Sequence, residues 1–168
     1  MKKSDFKIAI TRLSKVPGER QVVDIKAAIP ELSVSSAWVE DGTLVKLKGT
    51  LESVYSGVMF VGIATVDVVT ECRRCLRLTA IELEVRISEL FEQDYLEEEG
   101  DTYPIEGEFV NLLDMLRDAI VLELPRAPLC LNECAGLCQR CGANLNEIDC
   151  GHDDDDIDPR FKILDQLR

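Results

Sequence analysis

The sequence predicts an α+β fold: an antiparallel β-sheet packed by one main helix, followed by a C-terminal cysteine-rich zinc-binding segment and a short terminal helix. Three observations carry this expectation. Residues 43–91 alternate or run apolar as strands do, and residues 111–124 carry an apolar stripe at helical spacing. All seven cysteines and the only histidine fall into four short pairs, 72/75, 130/134, 138/141 and 150/152. The expected division is a sheet-and-helix body over 1–128, with an acidic loop at 92–108. A zinc-ribbon-like segment with the terminal helix, 129–168, packs on that body as one domain.

Taken in order, residues 5–10 alternate and read as a first strand. Pro17-Gly18 breaks the chain. Residues 21–38 read as either a strand or a short helix, limited by Pro30. From Thr43, Val45, Leu47 and Leu51 fall on one parity and Lys46, Lys48 and Glu52 on the other, which is a half-buried strand. Val58 to Val69 is almost continuously apolar and predicts a central strand covered on both faces. Ile81, Leu83, Val85 and Ile87 alternate with Glu82, Glu84, Arg86 and Ser88 as another strand. Cys72-Arg-Arg-Cys75 therefore sits at a hairpin turn, which aims both thiols the same way.

Residues 92–108 hold eight acids and no base, with no periodicity, and are expected to be a mobile loop. Asn111 then caps a helix, with Val110 and Met115 at staple positions, and Leu112, Leu113, Leu116, Ala119, Ile120 and Leu124 form its apolar stripe. Pro125 ends it, and Pro128 keeps the chain extended into Cys130. Asp158 and Pro159 start the short terminal helix.

Net charge is −13, distributed as +1 over residues 1–91, −8 over 92–108, −1 over 109–145 and −5 over 146–168. A body so close to neutral has no basic footprint for nucleic acid, and the acidic loop suits a basic protein surface. No apolar run approaches the roughly 20 residues of a membrane span. The opening Met1-Lys-Lys-Ser-Asp-Phe-Lys lacks the apolar core of an export signal, so a cytoplasmic chain with reduced thiols is expected.

Eight soft donors make two tetrahedral shells. Two groupings fit. In the favoured one, Cys72, Cys75, Cys130 and Cys134 hold one zinc, and Cys138, Cys141, Cys150 and His152 hold a second. The second site then closes only the short loop from Gly142 to Asp149, which limits the entropy of closure. In the other, Cys72, Cys75, Cys138 and Cys141 form one ribbon site. Iron–sulfur ligation and metal-free thiols are the other uses of such a set. A redox dithiol fits poorly, because no βαβ context surrounds either Cys-x-x-Cys. Arg73, Arg74 and Arg77 form the densest basic cluster in the sequence. They can offset a four-thiolate centre or touch RNA phosphate. Glu97, Glu98 and Glu99 are candidate contacts for a basic partner.

Four features in order resemble the YceD family, the large ribosomal RNA subunit accumulation proteins. They are Glu71-Cys-Arg-Arg-Cys-Leu76 between two strands, an acidic loop before a helix ending at Leu124-Pro125, Pro128-Leu-Cys130 through Gly136-Leu-Cys-x-x-Cys-Gly-Ala-Asn-Leu-Asn146, and Asp158-Pro-Arg160 with Leu164 and Leu167. The resemblance covers about residues 44–168. One departure is Cys150-Gly-His152, where the family pattern ends in Cys-x-Cys; histidine is an equally good zinc ligand.

The resemblance implies a cytosolic factor in the synthesis, processing or stability of large-subunit ribosomal RNA, with no catalytic mechanism. Its cofactor would be one or two structural Zn2+. Its partner would be a basic large-subunit ribosomal protein, the ribosomal RNA precursor, or both, with no membrane and no small-molecule substrate. A metal-dependent RNA-processing enzyme and a thiol- or zinc-responsive switch are the competing classes. The lone histidine stands in a metal pair, so no Ser/His/Asp or Cys/His set can be assembled.

Overall fold

The computed structural model describes residues 6–13, 18–93 and 102–152. Asp5 of the first expected strand, Asp94, Glu97, Glu98, Glu99 and Asp101 of the acidic loop, and the terminal helix from Asp158 lie outside the described residues.

Strands dominate the described chain, in the order β1 (Lys7–Ala9), β2 (Arg20–Ala28), β3 (Ser33–Val34), β4 (Ala37–Trp38), β5 (Leu44–Val54), β6 (Gly57–Glu71), β7 (Leu78–Glu92), β8 (Tyr103–Glu106) and β9 (Phe109–Asn111). One helix follows, α1 (Leu112–Glu123). The expectation of an α+β body, an antiparallel sheet covered by a main helix, is overturned. The sheet is mixed, since β7 and β8 run parallel through Phe91↔Tyr103, and it curls around its own core. The physical reason lies in the lengths. β6 and β7 are 15 residues each and pair from end to end, whereas α1 has only 12 residues. Strands this long accumulate enough twist to wrap an apolar interior themselves.

β6 is the hub. It pairs β7 along one edge, and β5 then β4 along the other, while β2 adds outside β5. The curl needs a close approach at Gly49 and Gly62, which face each other across β5 and β6. A Cβ on Gly62 would stand 2.5 Å from the Lys48 carbonyl and 2.7 Å from the Phe60 ring, so the ring lies in the space that side chains would fill. Phe6, Leu13, Leu47, Leu51, Phe60 and Phe91 are buried inside, each worth about 1.5–3 kcal/mol of transfer from water.

The helix supplies Leu112, Met115, Leu116 and Ile120 to this same core. Asn111 caps it, its side-chain oxygen accepting from Leu113 N–H at 3.2 Å. Of the two readings of residues 21–38, the strand is the one formed, as β2, β3 and β4. Two further differences from expectation appear. The expected acidic loop contains β8 and leads straight into β9, which pairs β1. β6 is covered on one face only: Val61 and Ile63 on its outer face are 54% and 41% exposed.

Candidate metal centre

The β6–β7 turn builds the first half of the site. Cys72 N–H donates to the Arg77 carbonyl and Leu76 N–H to the Cys72 carbonyl, both at 2.9 Å, closing a knuckle on which Cys72 and Cys75 converge. Leu76 takes φ +59°, a left-handed conformation rare for a non-glycine residue. Beneath the knuckle, the Thr70 and Thr79 hydroxyls lie 2.8 Å apart and fix the strand ends. The chain leaving α1 supplies the other half. The Pro128 carbonyl accepts from Arg73 N–H, and Ser36 Oγ donates to the Arg126 carbonyl at 2.9 Å. Cys130 and Cys134 are thereby laid against the turn.

The second half-knuckle repeats the first. Gly142 N–H donates to the Cys138 carbonyl at 2.9 Å, and Gly142 has φ +72° where Leu76 stands in the other copy. Cys138 N–H donates to the Ala143 carbonyl, and Leu137 bridges Asn144. Cys150 and His152 return to this loop.

The donors gather as two sets of four. Cys72, Cys75, Cys130 and Cys134 form one, and Cys138, Cys141, Cys150 and His152 the other, with all ligand atoms of each set within 4.8 Å of one another. The chain does not bring Cys72 and Cys75 to Cys138 and Cys141. A tetrahedron of sulfurs about 2.3 Å from an ion has edges of about 3.8 Å. Cys72 Sγ and Cys134 Sγ are 3.8 Å apart, and Cys75 Sγ and Cys130 Sγ 3.4 Å. Cys138 Sγ lies 3.8 Å from His152 Nδ1. These spacings fit ligands around one ion and are far longer than a disulfide, and all seven cysteines are free. Either cluster could hold a metal ion.

Each cluster mixes lowered and raised thiols, as a set awaiting a cation should. Burial pushes Cys72 up, but N–H groups of Cys130, Cys75 and Arg74 outweigh it and hold the thiol at about 6. Backbone N–H groups of Cys141 and Arg140 bring Cys138 to about 6 as well. Burial also raises Cys134, yet the Asn146 side chain and Gly136 N–H bring it below its ordinary value. Cys130 is pushed up to about 12, chiefly by its contact with the Cys75 thiol.

The two clusters differ in shelter. Cys72 and Cys134 are wholly buried, whereas Cys141 and His152 are exposed. The arginines separate by task. The Arg74 guanidinium donates to the Cys134 carbonyl at 2.7 Å, Arg77 pairs with Glu147, and Arg73 is exposed. Arg74 and Arg77 thus hold the cysteine segments together. Asn146 is a member of the site that residue-type reasoning passed over; its signal was its place in the Asn144-Leu-Asn146 run.

A curled, strand-rich protein with two four-donor centres, one of four thiols pinned to a hairpin tip and one of three thiols and an imidazole, is the class defined by this fold and site. The chain belongs to the YceD family: the model described as large ribosomal RNA subunit accumulation protein YceD matches residues 60–168, a stretch containing all eight donors. An uncharacterized protein of Mycobacterium leprae is 32% identical over 168 residues, covering 94% of this chain and 76% of that one. An uncharacterized protein of Mycobacterium tuberculosis is also 32% identical, covering 98% of this chain and 82% of its own length. A large ribosomal RNA subunit accumulation protein homolog of Arabidopsis thaliana, chloroplastic, is 36% identical over 56 residues, which are 32% of this chain and 17% of that protein. No solved structure matches the chain. Among the described residues, no helix is long and apolar enough to cross a membrane.

Proposed function

We propose that this protein is a non-enzymatic, cytoplasmic factor in large-subunit ribosome assembly, needed for large-subunit ribosomal RNA to accumulate. It acts by binding the RNA precursor or a basic large-subunit protein. The observation that carries this reading is the family match over residues 60–168, which spans both clusters. The metal is zinc, two ions with structural roles. The all-thiolate first set and the Cys3His second set are ordinary closed zinc shells, and such shells leave no position for an activated water. With every cysteine and the lone histidine committed, no thiol or imidazole remains for catalysis. The first ion staples the hairpin tip to the segment leaving α1, and residues 129–152 pack on the strand body as one domain with it.

Deletion of the gene in its host, with large- and small-subunit ribosomal RNA measured together, tests the reading. The expected result is a fall in large-subunit RNA alone, restored by the wild-type chain and not by Cys75→Ser. Unchanged large-subunit RNA after deletion would overturn it. Exposure of Cys141 and His152 favours one second reading, a thiol- or zinc-responsive switch, for which loss of metal from that cluster alone would regulate binding.

A further inference from the structure

Charge counted along the sequence averages away a feature that the fold creates. In β2 and β5 the buried residues Val23, Val45 and Leu47 alternate with Lys26, Lys46 and Lys48, which therefore share the outer face of the sheet. The register sets Lys26 directly opposite Lys46, and Lys48 opposite Ile63, whose other neighbour is Arg86 on β7. Like charges directly opposite each other destabilise a sheet. Among the described residues none of the three lysines forms an ion pair, although Asp24 stands opposite Lys48; Arg86 meets only Glu84, at 3.9 Å, and is 87% exposed. A chain of net charge −13 thus keeps three adjacent unpaired ammonium groups and a guanidinium on the outer face of the curled sheet, with Asp67 and Glu82 paired across β6 and β7 farther along the same face.

We propose that this face holds the phosphate backbone of helical RNA. The inference rests on the ribosomal reading above and names the contact surface. Spacing supports a phosphate row: Lys46 and Lys48 are about 6.7 Å apart along the strand, and Lys26 about 5 Å across from Lys46. Among the described residues no aromatic ring stands beside the lysines on β2, β5, β6 or β7; Trp38, a ring on this face, is half-buried on β4 opposite Val69, farther along β6 than Thr65, the partner of Lys46. The exposed apolar side chains near the lysines are Val22, Leu44, Val61 and Ile63. Helical RNA, read by shape and phosphate contact, suits it better than single strands. The arginines at the first knuckle are weaker candidates, because Arg74 and Arg77 are engaged within the chain. The rest of the protein repels a polyanion, so binding is confined to this face and is steeply salt-sensitive.

The test measures binding of the zinc-loaded chain to protein-free large-subunit precursor RNA across a salt series. Four chains are compared: wild type, the triple variant Lys26→Gln/Lys46→Gln/Lys48→Gln, Arg73→Gln, and Val61→Asp/Ile63→Asp, each first shown to keep its fold and metal. The expected result is wild-type binding, with affinity at low salt lowered at least about tenfold in the triple variant. Its salt slope should be shallower by roughly two to three, and Arg73→Gln should match wild type. Equal binding by wild type and the triple variant would overturn the proposal, as would no wild-type binding. A triple variant normal on RNA, beside a Val61→Asp/Ile63→Asp chain that no longer co-sediments with ribosomal precursors, would assign the face to a protein instead. The deletion experiment reads the ribosomal role separately: a fall in large-subunit RNA together with unaltered triple-variant binding sinks this surface alone.

Discussion

Asn146, in the loop of the second cysteine cluster, donates its side-chain amide to the sulfur of Cys134 in the first, at 3.3 Å. Its carbonyl oxygen accepts from Ala135 N–H at 2.8 Å, so the side chain is held from both ends. With Arg77–Glu147 and Leu137 N–H on the Arg74 carbonyl, this bond couples two centres that share no ligand. A thiolate that accepts a hydrogen bond is stabilised, and a ligand's outer partners orient it toward the ion. Asn146→Ala should therefore weaken metal binding at the first cluster about 10–100-fold while leaving the second nearly unchanged. Chelator competition on the two-metal protein reads both; equal weakening of both sites would mean that the loop had simply collapsed.

The paired knuckles make a second prediction. Leu76 and Gly142 occupy the same place after their Cys-x-x-Cys pairs, at φ +59° and +72°. A left-handed residue other than glycine is strained by about 1–2 kcal/mol. Gly142→Ala should destabilise the metal-loaded protein by about 1 kcal/mol. Leu76→Gly should be neutral or slightly stabilising, because the leucine is more than half exposed and glycine's looser unfolded chain offsets part of the relief. Denaturant unfolding with metal in excess measures both.

Curling of the sheet depends on the glycine pair. Gly62→Ala should cost about 1–3 kcal/mol, and trimming the ring with Phe60→Leu should not restore it, since the Lys48 carbonyl would still lie 2.5 Å from the new methyl group. Full recovery in the double variant would show that the ring alone sets the constraint.

The thiols give a pH signature. With Cys72 and Cys138 each held at about 6, the metal-free chain should gain thiolate absorbance as pH rises through 6, well before an ordinary thiol ionises. The raised thiols such as Cys130 must lose protons to bind a metal, so affinity should fall with pH throughout, and below about 6 Cys72 and Cys138 each add one more proton to displace, making the fall at each cluster about tenfold per pH unit steeper. Cys72→Ser and Cys138→Ser should each remove about half of the early step. A titration with no step below pH 8 would contradict these assignments.

How much of this was legible in the sequence follows the strength of each local signal. The strands from Leu44 to Glu92, the turn at Cys72 and the Asn111 cap follow from alternation and residue chemistry that no distant contact overrides. The fold class was not legible. Helix and strand both fitted residues 21–38, and the apolar run of β6 looked like a strand buried on both faces, although Val61 and Ile63 face outward. Acidic composition masked β8, where only Tyr103 and Ile105 turn partly inward and pairing supplies the order. In the site, ligand types and their nearness in sequence pointed to the four-and-four grouping. Asn146 and the Arg77–Glu147 pair depend on a loop fold that spacing does not encode.

Native mass spectrometry of the zinc-loaded chain, beside Cys75→Ser, Cys141→Ser and the double variant, tests the two-centre account most directly. Two separate centres require two ions in wild type, one in each single variant and none in the double. One ion in wild type, lost in both single variants, would contradict that arrangement in favour of a shared site, and a folded wild-type chain carrying no metal would remove its basis.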